Sequence, residues 1–301
     1  DYKNFEDEDG KLRKYDNIYT LTVETKDKAG RKIDPVTIQF SVNRFGSNYI
    51  DYETVVGKYF SSAPVIQVTE VNVNPLNLDD EETFVEVVSN SGETQHLKSK
   101  DVIIQTLEAG EKNWYEYHYA IPSKCFGVDD FYSIKLSSVD TAKRHSTNVN
   151  SEINDDEIYF TVDTTNPYYE VTNYKENDDS VHEDNFVLNL KLLDDTSGIQ
   201  KYEVKFDGEV YEAVSKEKGF DNTVELNIPI KGAEKLADAS GRLLEITVYD
   251  AAENNISGET FSVRISTNFW VNALAKLQDF YHNTPAFWGT VAGVLVIAGG
   301  L

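Results

Sequence analysis

The stretch Leu244-Glu245-Ile246-Thr247-Val248-Tyr249-Asp250-Ala251-Ala252-Glu253-Asn254 reads as the end of a strand and the turn that follows it. Leu244, Ile246 and Val248 alternate with other residues, and a period of two places them on one face of a half-buried strand. The polar run from Asp250 breaks the alternation and predicts a turn.

The same pattern occurs twice upstream. Tyr19, Leu21 and Val23 lead to Asp27, Lys28, Ala29 and Gly30, while Tyr132, Ile134 and Leu136 lead to Asp140, Thr141, Ala142 and Lys143. In each copy apolar residues stand six and four positions before the Asp. A second strand follows each turn: Ile38–Val42, Ile158–Val162 and Phe261–Val263. The Asp residues are 113 and 110 residues apart, about one β-sandwich domain and too long for a solenoid repeat.

The upstream halves agree. Tyr117, Tyr119, Ile121 and Pro122 precede Asp140, and Val224, Leu226, Ile228 and Pro229 precede Asp250. Proline donates no ladder hydrogen bond, so it suits a strand end. Asp207-Gly208 between alternating runs predicts a hairpin. The expected organisation is therefore 1–46 as the C-terminal part of one sandwich, 47–166 as a full domain and 167–267 as another. The junction at Pro167 is short, which predicts a stiff rod.

Three pieces carry a family resemblance: Val162–Pro167, Asp195–Ile199 and Tyr249–Asn254. The chain resembles the tandem bacterial immunoglobulin-like (Big-type) domains of large Gram-positive surface proteins, over most of residues 15–267. Asp140–Lys143 departs from the pattern, lacking the usual glycine or asparagine. The resemblance implies an all-β fold of tandem immunoglobulin-like β-sandwiches on a bacterial cell surface, with binding to a host or cell-wall protein or glycan.

After Thr267 the period changes. Trp270, Leu274, Leu277 and Tyr281 recur at four, three and four, which predicts an amphipathic juxtamembrane helix within 268–285. Residues 286–301 carry no charge and read as the start of a transmembrane helix; the other reading is a short helix packed on the last sandwich. Trp270, Tyr281, Phe287 and Trp288 are candidate interface residues. Gly289 and Gly293 form a Gly-x-x-x-Gly pair, open to a helix-contact or a plain small-residue reading. There is no Met and no signal-peptide pattern at the start, so the chain is expected to be a piece of a longer product.

A net charge of −24 disfavours nucleic acid as a partner. Cys125 is the single cysteine, which excludes an internal disulfide and reads as a small buried residue. No phosphate loop, nucleophile elbow or His metal motif occurs, so no catalytic residue is assigned. The acid runs at Glu6–Asp9, Asp79–Glu82 and Asp155–Glu157 read as solvated loops, with calcium as the rival reading. Asp163 and Asn166, with Glu176, Asn177, Asp178 and Asp179, are the candidate ligands, since Ca²⁺ takes six to eight oxygens. Trp114 in the aromatic run to Tyr119 is a candidate carbohydrate contact, while Tyr115, Tyr117, Tyr119 and Ile121 alternate as a core face.

The expected function is a non-enzymatic surface stalk for adhesion or display, held by a membrane segment. Two alternatives stay open: the spacer and anchor of a surface enzyme, such as a glycoside hydrolase or protease lying upstream, and a carbohydrate-binding module.

Overall fold

The structure is a computed structural model describing residues 15–109, 114–149, 157–173, 181–182, 186–216, 221–230, 242–265 and 269–282. The chain divides into two units, 1–164 and 165–301.

The first unit opens with a hairpin of β1 (Asn17–Lys26) and β2 (Lys32–Val42), which form a two-stranded sheet of their own. Then come β3 (Asn48–Ile50), β4 (Lys58–Phe60), β5 (Ile66–Asn72), β6 (Phe84–Ser89) and β7 (Thr94–Lys98). A single helical turn, α1 (Ser99–Val102), leads to β8 (Ile103–Ala109), β9 (Trp114–Ile121), β10 (Asp130–Val139), β11 (His145–Thr147) and β12 (Ile158–Val162). One sheet runs β3-β5-β9-β8 and the other β4-β12-β10-β6-β7, with β11 added on β10. The two sheets share one core. Ile66, Val68, Tyr119 and Ile121 come from the first sheet, and Val85, Val87, Ile134, Leu136, Ile158 and Phe160 from the second. Their alternation in sequence is what turns them all to one side. Each contributes roughly 1.5–3 kcal/mol through burial.

The second unit comprises β13 (Tyr168–Val171), β14 (Val181–His182), β15 (Phe186–Leu193), β16 (Ile199–Phe206), β17 (Glu209–Ser215), β18 (Thr223–Ile230), β19 (Arg242–Asp250), β20 (Asn255–Ile265) and α2 (Phe269–His282). Its sheets are β13-β15-β18 and β14-β20-β19-β16-β17. Leu188, Leu190, Leu192 and Ile228 pack against Ile199, Tyr202, Val204, Leu244, Ile246 and Val248.

The larger sheets match strand for strand. In each, a short strand lies parallel to the closing strand, β4 on β12 and β14 on β20, while the other pairs are antiparallel. The order and the two-sheet split are those of immunoglobulin-like sandwiches.

Several expectations meet the structure directly. Asp207 and Gly208 both take positive φ, at 51° and 80°, as a type I′ hairpin turn requires. Tyr117, Tyr119 and Ile121 are buried. The strand expected at Ile158–Val162 forms, but it does not follow its turn at once. β11 first pairs with Ser137–Val139, and β12 then pairs with Asp130–Ile134. The closing strand of this unit is thus built in two pieces.

α2 forms over the predicted helical pattern, and its Phe269, Trp270, Leu274, Leu277 and Tyr281 are exposed. Among the described residues no helix is long and apolar enough to cross a membrane. The segment 286–301, with Phe287, Trp288, Gly289 and Gly293, lies outside the described residues.

Candidate functional site

The repeated Asp turn is one device built three times. At Asp27 the backbone N–H donates to Arg31 O (2.9 Å) and the Gly30 N–H to Asp27 O (3.0 Å). At Asp140 the bonds are Asp140 N–H to Arg144 O (3.0 Å) and Lys143 N–H to Asp140 O (2.9 Å). At Asp250 they are Asp250 N–H to Asn254 O (3.1 Å) and Glu253 N–H to Asp250 O (3.3 Å). The fourth residue takes positive φ in each: Gly30 at 83°, Lys143 at 65° and Glu253 at 68°. This is the three-residue hairpin loop, a type I turn closed by a left-handed residue. The departure seen in sequence at Asp140–Lys143 does not change the turn, because the Asp carboxylate holds it. Oδ1 of Asp140 accepts from the Ala142 and Arg144 N–H groups, both at 2.8 Å.

The second carboxylate oxygen is where the units part. In the first unit, Oδ2 of the buried Asp140 accepts from Asn43 Nδ2 (2.9 Å) and Asn74 Nδ2 (2.8 Å). Asn43 follows β2 and Asn74 follows β5. Asn72 joins them, its Oδ1 accepting from Asn43 Nδ2 (2.9 Å) and from the Asn74 N–H (2.9 Å). Amide donors thus surround the negative charge of Asp140.

In the second unit, Asn254 serves Asp250 from within the turn, its N–H on Oδ1 (2.8 Å) and its Nδ2 on Oδ2 (2.9 Å). The residue after β15, the counterpart of Asn74, is Asp194. Its Oδ1 accepts from the N–H groups of Thr196 (3.2 Å), Ser197 (2.9 Å) and Gly198 (2.6 Å). Asp194 and Asp250 are both buried, and each offers a carboxylate oxygen within 4.8 Å of the other's. The Ala251 N–H binds Gly198 O (3.0 Å), which ties the two loops together. Two buried like charges at this separation repel strongly. Oxygens this close can both reach one Ca²⁺ at its usual ~2.4 Å.

The ligands expected from sequence are placed differently. Asp163 is buried after β12, with its N–H on Phe60 O (2.9 Å), and Asn166 is exposed. Glu176, Asn177, Asp178 and Asp179 lie outside the described residues, as do Glu6–Asp9, Asp155 and Asp156. In the run Asp79–Glu82, Asp79 pairs with Lys100 (2.7 Å), Asp80 with Lys143 (3.4 Å) and Glu82 with His145 (3.2 Å). The Lys100 ammonium and the Glu82 N–H hold the carboxyls of Asp79 and Asp80, respectively, below the ordinary range. Trp114 is half-buried and its indole N–H donates to Asn17 Oδ1 (3.2 Å). Cys125 is buried, and burial pushes its thiol up, which keeps it protonated.

A second buried acid sits in the core of the first unit. Glu70 accepts from Ser47 Oγ, from Ser138 Oγ (2.5 Å) and from Tyr119 OH (2.6 Å). Ser138 lies on β10 and Tyr119 on β9, so the carboxyl bridges the two sheets. Burial raises its pKa above the ordinary 4.5, against the lowering pull of these hydroxyls. Burial, reinforced by Glu70, in turn holds Tyr49 and Tyr119 well above their usual range. Glu70 and Asp194 had no local signature: each finds its partners through the sandwich rather than along the chain.

No family model and no curated protein matches the sequence. Similar solved structures include fibronectin(III)-like modules of Clostridium thermocellum CbhA, at 14% identity over 73% of this chain and 94% of that one, with a TM-score of 0.27. A titin Ig tandem, A164-A165, is 7% identical over 75% and 96%, at 0.26. Immunoglobulin domains 1–5 of Sidekick-1 are 8% identical over 83% and 45%, at 0.22. The fold itself rests on the strand order described above.

Proposed function

We propose that the chain is a non-enzymatic stalk of a cell-surface protein, its immunoglobulin-like sandwiches outside the cell and its C-terminal end at the membrane. The recurrence of one closing hairpin at Asp27, Asp140 and Asp250 carries this reading. A repeated sandwich extends a chain without requiring a cleft. The charge of −24 suits a solvated exterior. The exposed aromatic and aliphatic side chains of α2, followed in sequence by the uncharged run 286–301, support a membrane tether. Removing 268–301 tests it: the shortened protein is expected in the soluble fraction, and continued sedimentation with membranes contradicts the tether.

The buried pair Asp194 and Asp250 favours a structural Ca²⁺ as part of this function. Calcium there would lock the turn after β19 to the loop after β15. Asp163 follows β12 as Asn43 follows β2, which keeps it a candidate ligand. Its contribution is measured by the calcium response of Asp163→Asn.

A further inference from the structure

The β1–β2 hairpin repeats the closing hairpin of the first unit's sandwich in detail. Tyr19 faces Phe40 and Leu21 faces Ile38, as Tyr132 faces Phe160 and Ile134 faces Ile158. The rings of Tyr19 and Phe40 stack at 5.7 Å, those of Tyr132 and Phe160 at 5.8 Å. The Tyr19 hydroxyl donates to the carbonyl four residues upstream, Tyr15 O (2.9 Å), and the Tyr132 hydroxyl does the same to Val128 O (2.7 Å). That bond is the tyrosine corner at the start of a sandwich's penultimate strand.

Burial is where the two hairpins differ. Tyr132, Ile134, Ile158 and Phe160 are at most 4% exposed, beneath Ile66, Val68, Tyr119 and Ile121 of the facing sheet. In the first hairpin Leu21, Val23, Val36, Ile38 and Phe40 form a face that is 48–61% exposed. The opposite face carries Thr20, Thr22, Thr37, Gln39 and Ser41, so the hairpin has a built inside and outside. A two-stranded hairpin of this kind is marginal alone in water.

We infer that this apolar face is the floor of another immunoglobulin-like sandwich, covered by strands of the same polypeptide that precede residue 1. The covering sheet carries alternating apolar residues, as Ile66-x-Val68 and Leu188-x-Leu190-x-Leu192 do in the two sandwiches. A further strand pairs with the other edge of β1, in the way β6 pairs with β10. This inference does not depend on where the protein resides.

Hydrogen exchange tests it, comparing the natural full-length protein with residues 1–301. The amides of 17–26 and 32–42 are expected to exchange about 100-fold more slowly in the full-length protein. Leu21→Asp with Ile38→Asp is expected to abolish that protection and leave 186–193 and 242–250 unchanged, which separates a lost cover from general unfolding. Equal exchange in both proteins overturns the inference. So does a dimer of residues 1–301, seen by light scattering, in which the hairpin is already protected, since the cover is then a second copy.

Discussion

Asp140 and Asp250 occupy the same turn of the same fold, yet one is surrounded by amides and the other stands beside a carboxylate. Asn74 donates to Asp140 at 2.8 Å, whereas Asp194 lies within 4.8 Å of Asp250 with the same charge. Backbone and topology are shared, so the difference is one of side-chain chemistry. The first unit closes its turn with hydrogen bonds it already contains. The second gathers negative charge that a divalent cation would balance, and its stability is then linked to the medium. One scaffold thus supports a self-sufficient turn and an ion-dependent one.

The largest effect is expected from giving the first unit the chemistry of the second. Asn74→Asp removes the amide on Asp140 and adds a buried like charge. It is expected to lower the stability of the first unit by about 3 kcal/mol in chelator, read from denaturant unfolding. An unchanged midpoint would break the comparison. Next in size is calcium itself. At about 100 times its dissociation constant it stabilises the second unit by about 2.7 kcal/mol, seen as a rise in its melting transition, with none in the first. The converse substitution, Asp194→Asn, is smaller. It is expected to abolish the calcium response and raise the second unit's stability in chelator by about 1 kcal/mol, because an amide now meets Asp250.

The smallest effect concerns Glu70. Its pKa is raised by burial, and an acid raised in the folded state contributes stability below its unfolded value that is lost as pH rises through the folded one. Glu70→Gln keeps a polar group among Ser47, Ser138 and Tyr119 but cannot ionise. Its melting temperature relative to wild type is therefore expected to climb as pH rises from 4.5 toward neutrality. A constant difference over that range contradicts the assignment.

Much of the fold was legible because its signals are local. Alternation in Leu244–Val248 and the Asp-Gly pair at Asp207 report their own geometry, and the four-three-four spacing from Trp270 reports a helix. The split of the closing strand into β11 and β12 was not legible, since its first piece, His145–Thr147, is too short to show a period. Lys143 looked like a weakened turn because sequence shows a residue's preference for left-handed φ, not the carboxylate that enforces it.

The candidate site was legible only at one end. Asp250 stands out as the turn residue, but Asp194 comes from a loop 56 residues earlier and meets it only when β15 and β19 are in place. Carrying the repeat back from the turn to the residues after β5 and β15 would have set Asn74 against Asp194. The expected cluster around Asp163 and Asn166 followed chain proximity, whereas the carboxylates gather by fold.

Surface display is most directly tested by mild proteolysis of intact cells producing the full-length protein, followed by identification of the released peptides. An external stalk is expected to release peptides from 15–265 while a cytoplasmic marker stays intact. Release of those peptides only after lysis would contradict the account.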